Sequence, residues 1–401
     1  MNPLKLSVAA LLLVAGVGCR DDAPQPTGPD SSPLSAAATA ASPLSFTQIS
    51  AGTEHVCGVA ADGKAWCWGA NQSGELGIPP ASSPHQCSDR PCALRPVAVS
   101  GGLRFLQVSA GNHVTCGVST GEELFCWGDN SSGQLGIGNR LSSSSTPREV
   151  DGGRFYREVR VGTGNMVCAI TRSRDAFCWG GGYLGNGGAG ISRSPVKVTG
   201  TQDWLDLGVA TQHACAITTA NLAWCWGYNH HGELGDGTTT TRPTPVRAAQ
   251  GFAFLDIEAG GVTSCGILTD HHAVCWGSST ATGDGRGAGR QTLTPVALGG
   301  TRTWSSLSLS YLDGCGVRLA GVGLCWGQGV AGELGYGGDA NRFSPVRVSG
   351  DISWLSISPG FAFSCGVAQS GKAWCWGDGS NGQLGDGTEV GKLTPVAVAA
   401  P

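Results

Sequence analysis

Cysteine is the reactive side chain that this sequence repeats most regularly, with seventeen in 401 residues. Fourteen form seven pairs, each ten positions apart. They are Cys57 with Cys67, Cys116 with Cys126, Cys168 with Cys178, Cys215 with Cys225, Cys265 with Cys275, Cys315 with Cys325 and Cys365 with Cys375. Cys87 and Cys92 make an eighth pair and Cys19 stands alone. A zinc site would ask for closely spaced ligands such as Cys-x2-Cys. His55 and His213 do lie two positions before a paired cysteine, but nine intervening residues suit a hairpin. The pairs therefore predict disulfides and an oxidising compartment, with no metal.

Other side chains offer less chemistry. Glu75, Gln134, Glu233, Glu333 and Gln383 recur in register, yet the alternation of Glu with Gln argues against a catalytic ring of carboxylates. Asp378-Gly379-Ser380-Asn381-Gly382 lacks the spaced acidic ligands and closing Glu of a calcium loop. No G-x-S-x-G, H-E-x-x-H or P-loop is present, and nothing pairs a nucleophile with a base. Neither a cofactor nor an enzymatic activity is expected.

The elements that hold these residues follow from composition and repetition. Charged residues at 13% and two Met exclude a long-helix protein. Thirteen Trp exclude disorder, and Gly, at 66 residues, follows no Gly-X-Y period. A formal charge of −4 leaves no basic footprint for nucleic acid. Cys-Trp-Gly recurs seven times, with Trp at 68, 127, 179, 226, 276, 326 and 376. Around each copy lie four short apolar runs broken by Gly and Pro, which read as four strands. Seven such units predict an all-β fold, a seven-bladed β-propeller of four-stranded blades.

The cysteine spacing sets a register. A three-residue loop, Ala61-Asp62-Gly63 with Gly63 left-handed, places Cys57 opposite Cys67. The equivalents of Gly63 are Glu122, Arg174, Asn221, His271, Gly321 and Gly371. One step along, a large residue always opposes a small one, as Trp66 does Gly58 and Trp374 does Gly366. The Trp of Cys-Trp-Gly is expected to pack against the next blade. No Pro-Val-x-Val strand precedes Phe46, whereas the chain ends on Pro395-Val396-Ala397-Val398. This predicts closure by pairing the C-terminal strand with the N-terminal blade.

Upstream, Lys5 and the apolar residues 6–17 read as a signal peptide, too short to span a membrane. Gly16-Val17-Gly18-Cys19 resembles the lipobox of a bacterial lipoprotein, with Gly16 where Leu is usual and Cys19 as the lipidated residue. The organisation expected is a signal segment over 1–19, a flexible Ala/Ser/Pro-rich linker over 20–43 and the propeller over 44–401. That implies secretion across an inner membrane, with contact to it through a lipid anchor only, and a monomer.

The repeat resembles that of the regulator of chromosome condensation family, whose members fold as seven-bladed propellers. Its mark, Trp-Gly-x-Asn-x-x-Gly-Gln/Glu-Leu-Gly, reads here Trp68-Gly69-Ala70-Asn71-Gln72-Ser73-Gly74-Glu75-Leu76-Gly77. Good matches begin at Trp127 and Trp226; the third unit is irregular, and the fifth replaces the motif with residues 278–285. The resemblance implies two roles, guanine-nucleotide exchange on a small GTPase or, as in similar secreted bacterial propellers, inhibition of a β-lactamase. A signal peptide and disulfides fit the first badly.

The leading expectation is a non-catalytic extracytoplasmic scaffold that presents propeller loops to a protein or envelope polymer. Residues the repeat does not require mark the candidate contacts: Tyr228, His230, His231, His271, His272, Arg286, Arg290, Arg342 and Phe343. The insertion at 78–95, braced by Cys87 and Cys92, is a further recognition element. A propeller lyase or glycosidase would instead need acid and base residues converging on the axis or one face.

Overall fold

Aromatic-led runs such as Phe46-Thr47-Gln48-Ile49 and the Cys-Trp-Gly hairpins become strands in the computed structural model, which describes residues 44–278, 280–287 and 289–401. Residues 1–43, expected to be the signal and linker and including Cys19, lie outside the described residues. Among these residues the chain forms seven antiparallel sheets. The first contains β1 (Phe46–Ala51), β2 (His55–Ala60), β3 (Ala65–Ala70), β4 (His85–Cys87) and β5 (Arg90–Ala98), in the order β1-β2-β3-β5-β4. The other six blades use four consecutive strands each, starting at Phe105, Tyr156, Trp204, Phe254, Trp304 and Trp354. First strands pack against first strands of both neighbouring blades, so they surround the axis.

The hairpin register is the expected one. Cys57 pairs with Cys67 and Gly58 with Trp66, and the same offsets hold in the other six blades. All seven loop positions are left-handed, from φ 61° at Asn221 to 82° at Gly63. Glu122 and Arg174 adopt this conformation too, at 68° and 67°. Every ten-residue pair sits at disulfide distance. The Cα atoms of Cys57 and Cys67 are 4.1 Å apart, as are those of Cys168 and Cys178 and of Cys315 and Cys325. Cys116 and Cys126, Cys215 and Cys225, Cys265 and Cys275, and Cys365 and Cys375 are 4.0 Å apart. Cys87 and Cys92 join β4 to β5, so the insertion is a hairpin that widens the first blade.

Two expectations are corrected. The Trp of each Cys-Trp-Gly packs against the preceding blade, not the next one. Trp127 shares a core cluster with the Cys57 and Cys67 staple, and Trp68 shares one with Cys365 and Cys375. The alternation of side chains along the strand explains this. Trp68 lies on the opposite face from Cys67, and it is the cysteine face that meets the following blade.

Closure also differs. The C-terminal strand, Lys392–Ala397, pairs with Ala373–Gly377 of its own blade, with Val396 opposite Cys375. Each Pro-Val strand is thus the outer strand of the unit before it, and β5 completes the first blade. Seven complete blades need no exchanged strand, because the last joint repeats the first. At the joint of blades one and two, the Trp127 Nε1–H donates to the Glu75 carbonyl, the Ala110 N–H to Ser50 Oγ and the Phe105 N–H to the Gly63 carbonyl. At the joint of blades seven and one, the donors are Trp68, Ala51 and Phe46, and the acceptors Gln383, Ser358 and Gly371. Removing residues 392–401 is therefore expected to lower the melting temperature less than removing residues 44–51, which takes two of these three closing donors. Thermal melts of the two truncations check this; equal losses would point back to strand exchange.

Candidate binding site: the axial cavity and the loop face

The repeat motif is spent on the joints between blades. In the loop that follows β3, the Leu76 N–H donates to Asn71 Oδ1 and the Ser73 N–H to Glu75 Oε2. The Glu75 carbonyl is thereby aimed at the Trp127 indole, 2.9 Å from Nε1. Gly77 ends the motif under the same indole, where an added Cβ would lie 3.3 Å from Nε1. Gln134, Glu233, Glu333 and Gln383 offer their carbonyls to Trp179, Trp276, Trp376 and Trp68 in the same way. Even the divergent fifth unit keeps the joint, through the Ala281 carbonyl and Trp326. The irregular third unit does not, since the buried Trp226 Nε1 has no partner. Trp127→Phe should therefore cost about 1 kcal/mol more than Trp226→Phe, the worth of one hydrogen bond. Paired denaturant melts measure the difference.

His55 and His213 are structural as well. Each is fully buried, with Nε2 on Thr115 Oγ1 at 2.8 Å or on Ser264 Oγ at 2.9 Å of the following blade. Burial lowers the pKa of His55 to about 4 and of His213 to about 3, so both are neutral at physiological pH. Among the described residues no three His, Cys, Asp or Glu side chains converge as metal ligands.

The residues with unspent chemistry lie on the first strands. A bulge after the leading aromatic breaks the alternation in every blade, as between Phe46 and Gln48. Two polar tiers result. One holds Gln48, Gln107, Glu158, Asp206, Asp256, Ser306 and Ser356; the other holds Ser50, Ser109, Arg160, Gly208, Glu258, Ser308 and Ser358. The glutamines stitch neighbouring strands: the Gln48 amide donates to the Val108 carbonyl at 2.7 Å and accepts the Val108 N–H at 3.0 Å. Blades three to five carry charge instead. Arg160 Nε donates to Glu158 Oε1 at 2.9 Å, and its terminal nitrogen lies 3.6 Å from Asp206 and 3.7 Å from Glu258.

One guanidinium thus faces four carboxyl groups, and burial shifts three of them. Desolvation, reinforced by Asp206, raises Glu158 well above the carboxylate range. Asp256 is raised by desolvation and by Asp206 and Glu258. Glu258 is pushed up to about 7 by burial, against the pull of Arg160. Burial disfavours the Arg160 charge, but these carboxyls outweigh it and hold its pKa above normal. The arrangement can bind a proton or a cation. Sequence reasoning missed these five residues, although their signal is legible: polar residues two and four positions after each aromatic, at the same period as Cys-Trp-Gly.

A cavity of about 370 Å³ runs along the axis beside Arg160 and Glu258. Thr53, Asn112, Thr163, Tyr311 and Phe361 line it where the first strands end. The turns after the first strands and the connections from third to outer strand share this side of the ring, called here the loop face. It carries most of the predicted contacts. Tyr228 stacks on His230 with ring centroids 4.3 Å apart, and His231 Nδ1 is 2.9 Å from Glu233 Oε1. Arg342 covers the Tyr336 ring at 4.6 Å, and Arg286 and Arg290 are exposed on the neighbouring connection. The Phe343 carbonyl accepts the Gly285 N–H, linking those two connections. His271 and His272 belong elsewhere: they sit in a hairpin on the opposite face, where His271 Nδ1 lies 3.3 Å from the Trp304 carbonyl. The structure does not bring them to the other seven.

Comparison with known proteins gives the same architecture. The description "Regulator of chromosome condensation (RCC1) repeat" matches residues 46–75, 105–134 and 355–383 in one form and 62–118, 122–170, 221–267 and 370–401 in another, together more than half of the chain. Among curated proteins, the chain is 28% identical over 138 residues to the human probable E3 ubiquitin-protein ligase HERC6, covering 34% of this chain and 13% of that protein. It is 27% identical over 161 residues to the ultraviolet-B receptor UVR8 of Arabidopsis thaliana, covering 39% and 35%. The chain thus spans well under half the length of these two relatives. Among solved structures, Prp20p of Saccharomyces cerevisiae superposes with a TM-score of 0.73 at 18% identity, covering 89% of this chain and 88% of that one. Human WBSCR16 gives 0.71 at 20%, covering 79% and 85%. The matched segments hold Glu75, Gln134, Glu233 and Gln383, four of the residues whose carbonyls join the blades, and on them the chain belongs to the regulator of chromosome condensation (RCC1) repeat family.

Proposed function

We propose that this propeller is a non-catalytic scaffold working outside the cytoplasm, which presents its loop face to a protein or an envelope polymer and not to nucleic acid. The observation that carries this reading is the division of labour between motif and loops. Motif residues are consumed in the joints, whereas the connections that vary between blades emerge on one face, with Tyr228, His230, Arg286 and Arg342 among their residues. Sixteen cysteines at disulfide distance support an oxidising compartment. Lipidation of Cys19 would then tether the scaffold at a membrane surface. Relatives are consistent with protein recognition, since Prp20p has binding properties towards Gsp1p and histones.

The test is capture of an envelope partner by the mature ectodomain, repeated with alanine replacing each loop cluster in turn. Replacing Tyr228 and His230 together is expected to leave the melting temperature nearly unchanged while capture falls; His231 is kept, because its Nδ1 lies 2.9 Å from the buried Glu233 Oε1. Loss of capture that always tracked loss of stability would defeat the loop-face reading, and turnover on a panel of glycans would defeat the non-catalytic one.

A further inference from the structure

The axial cavity encloses about 370 Å³, within the roughly 300–1,000 Å³ of small-molecule sites. Among the described residues, Arg160 and Glu258 are the only charged side chains that line it. They stand 3.7 Å apart, and Arg160 also donates to Glu158 Oε1 at 2.9 Å and to the Leu207 carbonyl at 3.2 Å. A cation placed at Glu258 would meet this guanidinium. An anion placed at Arg160 would meet Glu258, with Asp206 also 3.6 Å from the guanidinium. Neither sign of charge is favoured, so the neutral groups decide the class of ligand.

Those groups are hydroxyls, because the polar tiers that carry charge in blades three to five carry serine in blades six and seven. Ser306, Ser308 and Ser356 line the cavity half-buried, and among the described residues their side chains have no hydrogen-bond partner. Each offers one proton and two lone pairs. Ser358, Ser50 and Ser109 continue the wall; each accepts a backbone N–H of the following blade at 3.0 Å and keeps its own proton to donate. A wall of groups that both donate and accept is matched by ligand hydroxyls, which do the same. Tyr311 and Phe361 end this wall at the mouth, three residues beyond Ser308 and Ser358, or roughly 10 Å at the usual strand rise. Their rings meet edge to face with centroids 6.3 Å apart and are 43% and 57% exposed. The negative face of an aromatic ring attracts polarised C–H bonds, such as those a pyranose presents on its less hydroxylated side.

We propose that the axial cavity binds a small neutral saccharide, with a C–H face on Tyr311 and Phe361 and its hydroxyls on Ser306, Ser308 and Ser356. Because those three hydroxyls hold no other part of the protein, removing them tests binding without touching the fold.

The experiment is calorimetric titration of the full chain at neutral pH with glucose, galactose, mannose and N-acetylglucosamine, and with glucosamine and glucuronate as charged counterparts. At least one neutral sugar is expected to bind with a Kd below about 10 mM, and both charged ones at least about tenfold more weakly than it. Ser306→Ala with Ser308→Ala is expected to lower the affinity for that sugar about tenfold, the worth of two hydrogen bonds, at an unchanged melting temperature. Tyr311→Ala with Phe361→Ala, at exposed positions, should weaken the same sugar without unfolding the ring. No neutral sugar bound at about 10 mM, a charged sugar bound as tightly as the best neutral one, or an unchanged affinity in either double variant would each overturn the proposal. None of these results depends on whether the loop face has a protein partner.

Discussion

Full reduction of the disulfides is expected to unfold the propeller. Each blade staple closes a ten-residue loop, and the chain-entropy argument assigns roughly 2–3 kcal/mol to such a loop. Seven of these contributions come to roughly 14–21 kcal/mol, as large as the roughly 5–15 kcal/mol by which folded proteins usually exceed their unfolded chains or larger. The staples also belong to the joints: Cys57 and Cys67 are fully buried in the cluster that receives Trp127, and the other pairs are buried equally. Burial keeps reductant away from the folded protein, so reduction should be slow in buffer and fast in denaturant. The measurement is tryptophan fluorescence and far-ultraviolet circular dichroism after reduction in guanidinium and removal of the denaturant under reductant. Loss of cooperative melting is the expected result. A reduced protein that melts within a few degrees of the oxidised one would show that blade packing suffices alone. Before reduction, the sixteen cysteines from Cys57 to Cys375 should give no thiol signal.

The staples show why so much of this fold is legible in its sequence. A disulfide between opposed strands fixes register outright, so the ten-residue spacing located the hairpin loop, its left-handed position and every large-on-small pair. Register within a hairpin is a local property. What lies between blades is not, and there the reading went astray. Alternation told which residues share a face with Trp68 but not which neighbour that face meets, and strand phase did not tell whether Pro395-Val396 ends one unit or begins another. The axial cluster was missed for a different reason. Glu158, Arg160, Asp206, Asp256 and Glu258 come from three blades, about fifty residues apart, and no local motif joins them. Only the ring brings them together, and the bulge after each leading aromatic hides them from a search for strict alternation. The loop-face residues were found in part, since a departure from the repeat marks a position free to vary but does not say on which face it lies.

Arg160→Met should destabilise the protein strongly, and more at alkaline than at acidic pH. At the charged tier positions, Glu158, Asp206, Asp256 and Glu258 surround this one cation. Removing one partner of a buried ion pair typically costs about 3–5 kcal/mol, because the other charge is left uncompensated. Here the carboxyls can escape by taking up protons. Arg160 lowers the pKa of Glu158, Asp256 and Glu258, so without it all three rise further. A carboxyl whose folded pKa is raised binds its proton more tightly in the native state, and stability falls as pH climbs from the unfolded value through the folded one. For Glu258 in the natural protein that window runs from about 4.5 to about 7, and the buried Asp313, also raised, adds to the same slope. His55 and His213 work in the opposite sense. Their pKa values are depressed, so stability falls as pH drops from 6.5 towards about 4 and about 3. Those histidines remain in the variant, so the difference between variant and natural protein isolates the carboxyl cluster. Urea unfolding of both proteins at about pH 5 and about pH 8 should give a larger destabilisation at the higher value. Should Arg160→Met prove too unstable to fold at pH 8, Glu258→Gln supplies the complementary reading. It removes one surplus charge and should raise stability at the higher pH while leaving it nearly unchanged at the lower. A destabilisation by Arg160→Met that is the same at both pH values would show that the guanidinium matters for its packing and its bond to the Leu207 carbonyl, and that the axis carries no excess of negative charge.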